Sequence, residues 1–189
     1  MNRRDSGKLR IIGGTHRSRV IEFDPNSGVR PTPDRVRQTV FDWLAPVIEG
    51  AKCLDLFAGS GAMGFEAISR GASKVTFVES ARRQIDLIRA NLAKLRAEAQ
   101  AEVMPTDGIT YLELTPLRFD VVFLDPPYDG DLLARALPLL LPRLAPGNRI
   151  YLEWREGCKP ELPDCVVWLR EKQAGQVCFG LASLERTPA

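Results

Sequence analysis

A chain of 189 residues with 44% hydrophobic and 26% charged residues is long enough for one globular domain with a hydrophobic core. Its apolar runs are too short to cross a membrane, and its basic N-terminus lacks the apolar core of a secretory signal. Its four cysteines form no CxxC pair, so neither a zinc site nor a disulfide framework is indicated, and we expect a cytoplasmic protein with reduced thiols.

The positive charge is concentrated at the N-terminus. Residues 1–37 contain nine basic residues and four acids, which makes this segment +5, whereas the remainder is −3. Such asymmetry favours contact with a polyanion, although charge alone leaves open a solvated basic tail.

The first elements are short. Residues 9–13 and 19–23 are β-type runs around GGTHRS and predict a hairpin. A helix is predicted next, with Thr32 as its cap, Pro33 at its first position and an apolar face of Val36, Val40, Phe41 and Leu44. We therefore predict a basic hairpin extension over residues 1–29 and a main domain over residues 30–189.

From Ala51 onward, predicted strands and helices alternate. Gly71 is expected to end the helix after the first strand, and Ser80 to cap the helix whose stripe is Ile85, Ile88, Leu92 and Leu95. Pro138 and Pro142 should shorten or kink the last helix. Strands are predicted at 53–57, 74–79, 101–106, 119–124 and 149–154, with a terminal antiparallel pair at 165–170 and 176–185.

This alternation predicts an α/β fold. Near-continuous apolar strands indicate a parallel sheet covered by helices on both faces. Ligands of such sheets bind beyond the carboxyl ends of the strands, which is where the motifs below fall.

A glycine loop follows the first of these strands. Gly59 to Gly64 read G-x-G-x-x-G between a strand and a helix, and Glu79 lies twenty residues after Gly59, at the end of the next strand. The glycines let the backbone approach a ligand, and the carboxylate can bind a ribose diol. The pattern predicts an adenosine-containing cofactor, for which NAD and S-adenosylmethionine both fit, while a structural tight turn is the alternative.

Two aspartates bear on the choice of cofactor. Asp55, inside the strand before the loop, would repel a pyrophosphate but attract the ammonium or sulfonium of S-adenosylmethionine. Asp107, after the third strand, could accept from the adenine amino group or could simply cap a helix.

The tetrapeptide Asp125-Pro126-Pro127-Tyr128 follows the fourth strand and predicts catalysis. A purine's exocyclic amine is a poor nucleophile, and acceptors aimed at its hydrogens, the Asp125 carboxylate and the Pro126 carbonyl, would favour a pyramidal nitrogen. Proline fixes φ, so this carbonyl needs little reorganisation, and Tyr128 offers a face for stacking worth about 1–3 kcal/mol. No metal is required. The alternative is that the prolines only end the strand and Tyr128 packs.

The chain resembles the bacterial guanine-N2 methyltransferases that modify small-subunit (16S) ribosomal RNA. The likeness covers almost the whole chain, in LRIIGGTHRSR, VRPTPDRVRQTVFDWL, LDLFAGSGAMGFEAISRGA, VVFLDPPY and EKQAGQVCFG. The RPTPDRVRQTVFDWL segment discriminates best, because DLFAGSG and DPPY occur in wider methyltransferase groups.

The resemblance implies a Rossmann-like class I methyltransferase fold with a seven-stranded sheet over residues 30–189, S-adenosylmethionine as donor, and ribosomal RNA as substrate, within the small subunit. It implies that Asp125, Pro126 and Tyr128 hold the guanine amine, with Pro127 beside them. The donor site is expected to comprise Asp55, Phe57, Ala58, Gly59, Ser60, Gly61, Glu79, Ser80, Asp107 and Gly108.

The RNA-facing part is expected to be the hairpin and the segment that follows it. Arg17, Arg19, Arg35 and Arg37 are candidate phosphate contacts. Arg10, Arg30 and His16, the only histidine, complete the predicted RNA-binding set.

Three alternatives remain at this point. A DNA adenine-N6 methyltransferase could use the same DPPY chemistry, although 189 residues leave little room for a separate target-recognition domain. A nicotinamide dehydrogenase could use the glycine loop, and a non-catalytic RNA-binding factor could retain the fold.

Overall fold

The computed structural model describes residues 6–27, 31–126 and 131–185. Strands β1 (Gly7–Arg10) and β2 (Val20–Phe23) form the predicted antiparallel hairpin, with Leu9 opposite Ile21. Its inward residues Ile11 and Ile21 are buried in the same core as the first helices of the main domain. The hairpin is therefore packed on the body of the protein.

A seven-stranded sheet forms the centre of the described chain. Its order is β5-β4-β3-β6-β7-β9-β8, in which the pairs from β5 to β7 are parallel and those involving β9 are antiparallel. Because β3 lies beside both β4 and β6, the strand order reverses there, and this is where open α/β sheets bind ligands. The strands are β3 (Lys52–Asp55), β4 (Lys74–Glu79), β5 (Ala101–Pro105), β6 (Phe119–Leu124), β7 (Leu144–Arg155), β8 (Val166–Ala174) and β9 (Val177–Leu184).

Helices cover both faces of the sheet, as predicted. Val121 and Phe123 of β6 face one core, whereas Val122 and Leu124 face the other, because side chains alternate along a strand. The first core is closed by α1 (Asp34–Leu44), α2 (Ala62–Ser69) and α3 (Arg82–Leu95), and the second by α4 (Gly108–Leu114) and α5 (Leu132–Leu140).

Two of the predicted helix caps are wrong. α1 begins at Asp34 with Pro33 before it and no side-chain cap, and Thr32 is buried instead. α3 begins at Arg82, one residue later than Ser80 would require, because the Glu79 carboxylate accepts from the Ala81 N–H at 2.7 Å.

Other end signals are confirmed. Gly71 has φ +97° directly after the Arg70 cap of α2, and Asp107 caps α4 by accepting from the Thr110 N–H at 3.0 Å. α5 contains Pro138 and ends at Leu140, where a 3₁₀ turn takes over, so the proline-rich helix is short. Within the described ranges, no helix is long and apolar enough to cross a bilayer.

Candidate active site

A cleft of about 1190 Å³ opens at the carboxyl ends of the central strands. The strand order brings the ends of β3, β4, β6 and β7 to this one edge. Eleven residues proposed from sequence line the cleft: Asp55, Phe57, Ala58, Gly59, Ser60, Glu79, Ser80, Asp107, Gly108, Asp125 and Pro126. Gly61 lies in the same loop but not among the lining residues.

The glycine loop is held by Glu79. Its Oε2 accepts from the Gly59 N–H at 2.8 Å and its Oε1 from the Ala81 N–H at 2.7 Å. Gly61 has φ +73°, a backbone conformation that favours glycine, and it stands directly before α2. The carboxylate thus orients the loop, and each of its oxygens can accept a further hydrogen bond from a ligand.

Asp55 is buried at the end of β3. Its Oδ2 accepts from the Gly64 N–H at 3.0 Å, near the N-terminus of α2. Burial raises the pKa of Asp55 to about 8, the Gly64 hydrogen bond opposes this rise, and the charge of Glu79 adds to it. A cationic ligand in the cleft would favour the ionised form.

The pKa of Asp107 is shifted in the opposite direction to that of Asp55. It is exposed, and hydrogen bonds from the backbone N–H and the side chain of Thr110 lower its pKa, so it stays ionised at neutral pH. The cap that it forms and a contact to a ligand are compatible, because a carboxylate has several acceptor sites.

Asp125 and Pro126 form the other side of the cleft. Asp125 follows β6 and is partly exposed, and Pro126 is buried. Burial of the Asp125 carboxyl group raises its pKa well above the usual range, and the charges of Glu153 and Asp55 add to this. Pro127 and Tyr128, also predicted to be catalytic, lie outside the described residues.

Sequence reasoning missed Glu153. This residue lies in β7, lines the cleft, is only 8% exposed, and accepts from the Tyr151 hydroxyl at 2.7 Å. The signal was available, since an acid inside an apolar strand is also what singled out Asp55. Thr32, Arg155 and Gln176 line the cleft as well.

The predicted RNA contacts in the described ranges are not among the residues that line the cleft. Arg10, Arg17, Arg19 and Arg35 are exposed and His16 is half-buried, so all five are accessible. Arg30 lies outside the described residues.

Arg37 is not a surface residue, so its predicted phosphate contact is wrong. Its side chain is fully buried, its Nη2 donates to Asp34 at 2.6 Å and to the Arg10 carbonyl at 2.9 Å, and its Nη1 lies 3.7 Å from Glu66. Charge pairing inside the protein explains the burial, because an arginine enters a core only with acids and carbonyls around it.

Glu66 and Ser69 of α2 bind the turn of the hairpin. The Glu66 carboxylate accepts from the Ile12 N–H at 2.9 Å and the Gly13 N–H at 2.8 Å. The Ser69 carbonyl accepts from the Thr15 N–H at 2.7 Å. The helix that starts at the glycine loop therefore also holds the basic hairpin.

No group of three or more histidine, cysteine or acidic side chains in the described ranges has the arrangement of a metal site.

The chain is similar to known proteins over nearly its whole length. The family model described as Conserved hypothetical protein 95 matches residues 9–183. Ribosomal RNA small subunit methyltransferase D of Escherichia coli (strain K12) is 42% identical, over 97% of this chain and 94% of its own. The protein of the same name from Haemophilus influenzae is 41% identical, over 93% of each chain.

Solved structures agree with these relatives. The structure of yhhF from Escherichia coli superposes with a TM-score of 0.87 at 41% identity, covering 95% of this chain and 99% of that one. This confirms the predicted seven-stranded methyltransferase fold, and the named relatives favour ribosomal RNA over DNA adenine as the substrate. The chain belongs to the ribosomal RNA small subunit methyltransferase D family.

Proposed function

We propose that this protein transfers a methyl group from S-adenosylmethionine to the exocyclic N2 amine of a guanine in small-subunit (16S) ribosomal RNA. One observation carries the proposal. The Asp125-Pro126 end of β6 and the Asp55 glycine-loop end of β3 share one cleft, in a chain 42% identical to a named ribosomal RNA methyltransferase.

The described residues fit the donor. Asp55 is a buried carboxylate beside the glycine loop, and Glu79 and Asp107 place two more acids along the same side, which suits a ligand with a ribose diol, an amine and a positive charge. When bound, S-adenosylmethionine supplies an electrophilic methyl group on a sulfonium. Asp55 stabilises the positive charge of the donor. Glu79 binds the ribose hydroxyls and also holds the Gly59 N–H. Asp107 accepts a hydrogen bond from the adenine amino group.

Asp125 and Pro126 bind the base. The Asp125 carboxylate and the Pro126 carbonyl accept hydrogen bonds from the two amine N–H groups and direct the nitrogen lone pair toward the donor side of the cleft. As the N–C bond forms and the S–C bond breaks, the nitrogen releases one of these protons to the Asp125 carboxylate. Positioning of this kind contributes several kcal/mol to the lowering of the barrier, roughly 7–11 at most. The ionised form of Asp125 is the stronger acceptor, and positive charge in the cleft lowers its raised pKa. Pro127 and Tyr128 retain the roles predicted from sequence, as a rigid link and a stacking surface.

The basic extension, residues 1–29, is the proposed RNA-facing part. Arg10, Arg17, Arg19 and Arg35 supply exposed positive charge, and residues 30–189 supply the methyltransferase domain. We place the reaction in the cytoplasm, on RNA within the small ribosomal subunit and without a metal.

Labelled methyl transfer tests the proposal. The purified protein is incubated with labelled donor and with small-subunit particles from cells that lack it, and the RNA is digested to nucleosides for mass spectrometry. The expected product is N2-methylguanosine. Asp125→Ala should lower turnover about 100-fold or more, because a preorganised acceptor at the reacting amine is lost.

Controls separate the alternatives. Asp42→Asn, an exposed acid on α1, should leave turnover unchanged. N6-methyladenine as the only product, or full activity of Asp125→Ala, would overturn the proposal. Tight binding of NADH without binding of S-adenosylmethionine would point to a dehydrogenase instead.

A further inference from the structure

The cleft has two halves that the sheet order separates. The residues proposed for the donor follow β3, β4 and β5, on one side of the switch point. Asp125 directly follows β6 and Glu153 lies in β7, on the other side. An acid on the β6–β7 side therefore faces the substrate half rather than the donor half.

Glu153 lies beside Asp125 on the neighbouring strand. The parallel register pairs Phe123 with Tyr151 and Leu124 with Leu152, so the next positions along the two strands are Asp125 and Glu153. Phe123 and Tyr151 meet edge to face with ring centroids 6.4 Å apart, and residues two positions further along point to the same side. The contribution of Glu153 to the raised pKa of Asp125 agrees with this proximity.

Tyr151 orients the Glu153 carboxylate. The hydroxyl donates to Oε2 at 2.7 Å, and both side chains are buried. A carboxylate held in this way remains able to accept from a ligand, because each oxygen has two acceptor sites. It cannot donate while it is ionised.

We propose that Glu153 determines the base specificity of the reaction by accepting the N1 hydrogen of guanine. This rests on the proposed function. Guanine places an N1–H donor directly beside its N2 amine, so two adjacent carboxylates, Asp125 and Glu153, match two adjacent donors. Adenine has a bare N1 lone pair beside its amine, which would face the Glu153 carboxylate with no hydrogen between them. These two acceptors repel each other and form no hydrogen bond, so the wrong base is rejected.

The same contact assists the transfer. A carboxylate that accepts a hydrogen bond from N1–H polarises this bond without breaking it. Electron density then moves through the ring toward the N2 amine, which makes this weak nucleophile more reactive. Glu153 is thus expected to affect both the choice of base and the rate.

A base analogue tests the N1 contact. 2-Aminopurine keeps the methyl-accepting amine but carries a lone pair at N1 and no oxygen at C6, so the N1 contact is measured by the change in preference between the wild type and Glu153→Gln. The target guanosine, mapped by the nucleoside experiment above, is replaced by 2-aminopurine riboside through splinted ligation, and both RNAs are assembled into particles. The wild-type protein should prefer guanine about 10- to 100-fold in kcat/KM, as loss of a charge-assisted hydrogen bond requires. In Glu153→Gln this preference should fall to about 3-fold, because an amide can either accept from N1–H or donate to a bare N1.

A control variant and two contrary results separate the role of Glu153 from the proposed function itself. Glu161→Gln removes the same charge from an exposed position that does not line the cleft, eight residues further along, and should keep the wild-type preference. If Glu153→Gln is too slow to assay, competition between the two RNAs for the protein, with S-adenosylhomocysteine bound, measures the binding part of the preference without turnover, and this part should also fall in Glu153→Gln. A preference unchanged by Glu153→Gln would overturn the inference while leaving the proposed function intact. No transfer to guanine by the wild type would overturn the proposed function itself.

Discussion

Single carboxylates inside apolar strands distinguish this cleft from an ordinary sheet edge. Asp55 and Glu153 are both nearly buried, and each has a hydrogen-bond donor that orients it, the Gly64 N–H and the Tyr151 hydroxyl respectively. Burying an acid costs free energy, so the protein retains these residues at a cost in stability that a cationic or hydrogen-bonding ligand can offset.

Asp55 makes donor binding depend on pH. Its pKa of about 8 in the empty cleft means that it is largely protonated at pH 6, whereas a positive donor prefers the carboxylate. The affinity for S-adenosylmethionine should therefore rise from pH 6 to pH 8, by up to about tenfold per unit, and level off above pH 8. Isothermal titration across this range checks it, and Asp55→Asn should bind more weakly with a flat profile. A wild-type Kd independent of pH would contradict the assignment.

The raised pKa of Asp55 also makes the free energy of unfolding depend on pH. Because the folded-state pKa lies above the usual 3.8, the stabilisation linked to this proton is complete below about pH 4 and is lost as the pH rises through about 8. In the absence of donor, Asp55→Asn should thus gain stability relative to the wild type as the pH is raised from 6 to 8. Denaturant titration at the two pH values measures this change.

Glu79→Ala should weaken the binding of S-adenosylmethionine and leave the binding of RNA unchanged. The substitution removes the acceptor of the Gly59 and Ala81 N–H groups, so the loop loses its orientation together with the proposed ribose contact. We expect the Kd of S-adenosylmethionine to rise about 10-fold or more, in line with one or two lost charge-assisted hydrogen bonds. Equal effects on donor and RNA affinity would contradict the separate roles of the two surfaces.

At the scale of elements, α2 links two surfaces. It begins at the glycine loop, and its Glu66 and Ser69 hold the turn that joins β1 to β2. On the other side of the hairpin, the Asn91 side chain of α3 pairs with the backbone of Glu22 through bonds of 3.0 and 2.7 Å. The basic hairpin is therefore held by two helices of the main domain.

Gly14→Ala tests this docking. Gly14 has φ +75°, and a Cβ there would collide with the Ser69 carbonyl. Gly147→Ala is the matched control, since Gly147 has φ +77° but open space around it. The control should lose about 1 kcal/mol of the free energy of unfolding, from backbone strain alone. Gly14→Ala should lose roughly twice that or more and should weaken RNA binding more than donor binding; equal losses for the two variants would argue against tight docking.

At the scale of the whole molecule, the exposed arginines of the hairpin and the acids of the cleft belong to different elements. The hairpin arginines are not among the residues that line the cleft. In the proposed complex they would contact the RNA backbone, whereas the acids of the cleft would contact a base.

Charge reversal distinguishes surface arginines from the buried one. Arg17→Glu with Arg19→Glu should weaken RNA binding and reduce the slope of log K against log salt by about 1 for each lost phosphate contact. Arg37→Ala should instead lower stability by about 3 kcal/mol, because it removes a buried cation from beside Glu66. Filter binding across a salt series and denaturant titration separate the two effects, and an unaltered slope in the double variant would remove the hairpin from the interface.

Local patterns were sufficient for much of the architecture. The bounds predicted for β4 and β6 agree with the structure, and the apolar stripe of α3 is buried as expected. Both can be predicted because the spacing of apolar residues along the chain differs between strands and helices. Both helix caps at Thr32 and Ser80 failed, because a buried threonine and a carboxylate from a neighbouring position compete for the same backbone groups.

The sequence by itself determined the alternation of strands and helices, the family resemblance and the acids expected at one edge of a sheet, since each depends on neighbouring residues or a continuous motif. Only the tertiary structure decided that Arg37 is buried and that Glu153 joins Asp125 in the cleft. The physical reason is that both facts depend on partners distant in the chain. Besides its local partner Asp34, Arg37 contacts the Arg10 carbonyl and lies 3.7 Å from Glu66 of another helix. Glu153 reaches the cleft because β7 pairs with β6 in one particular register.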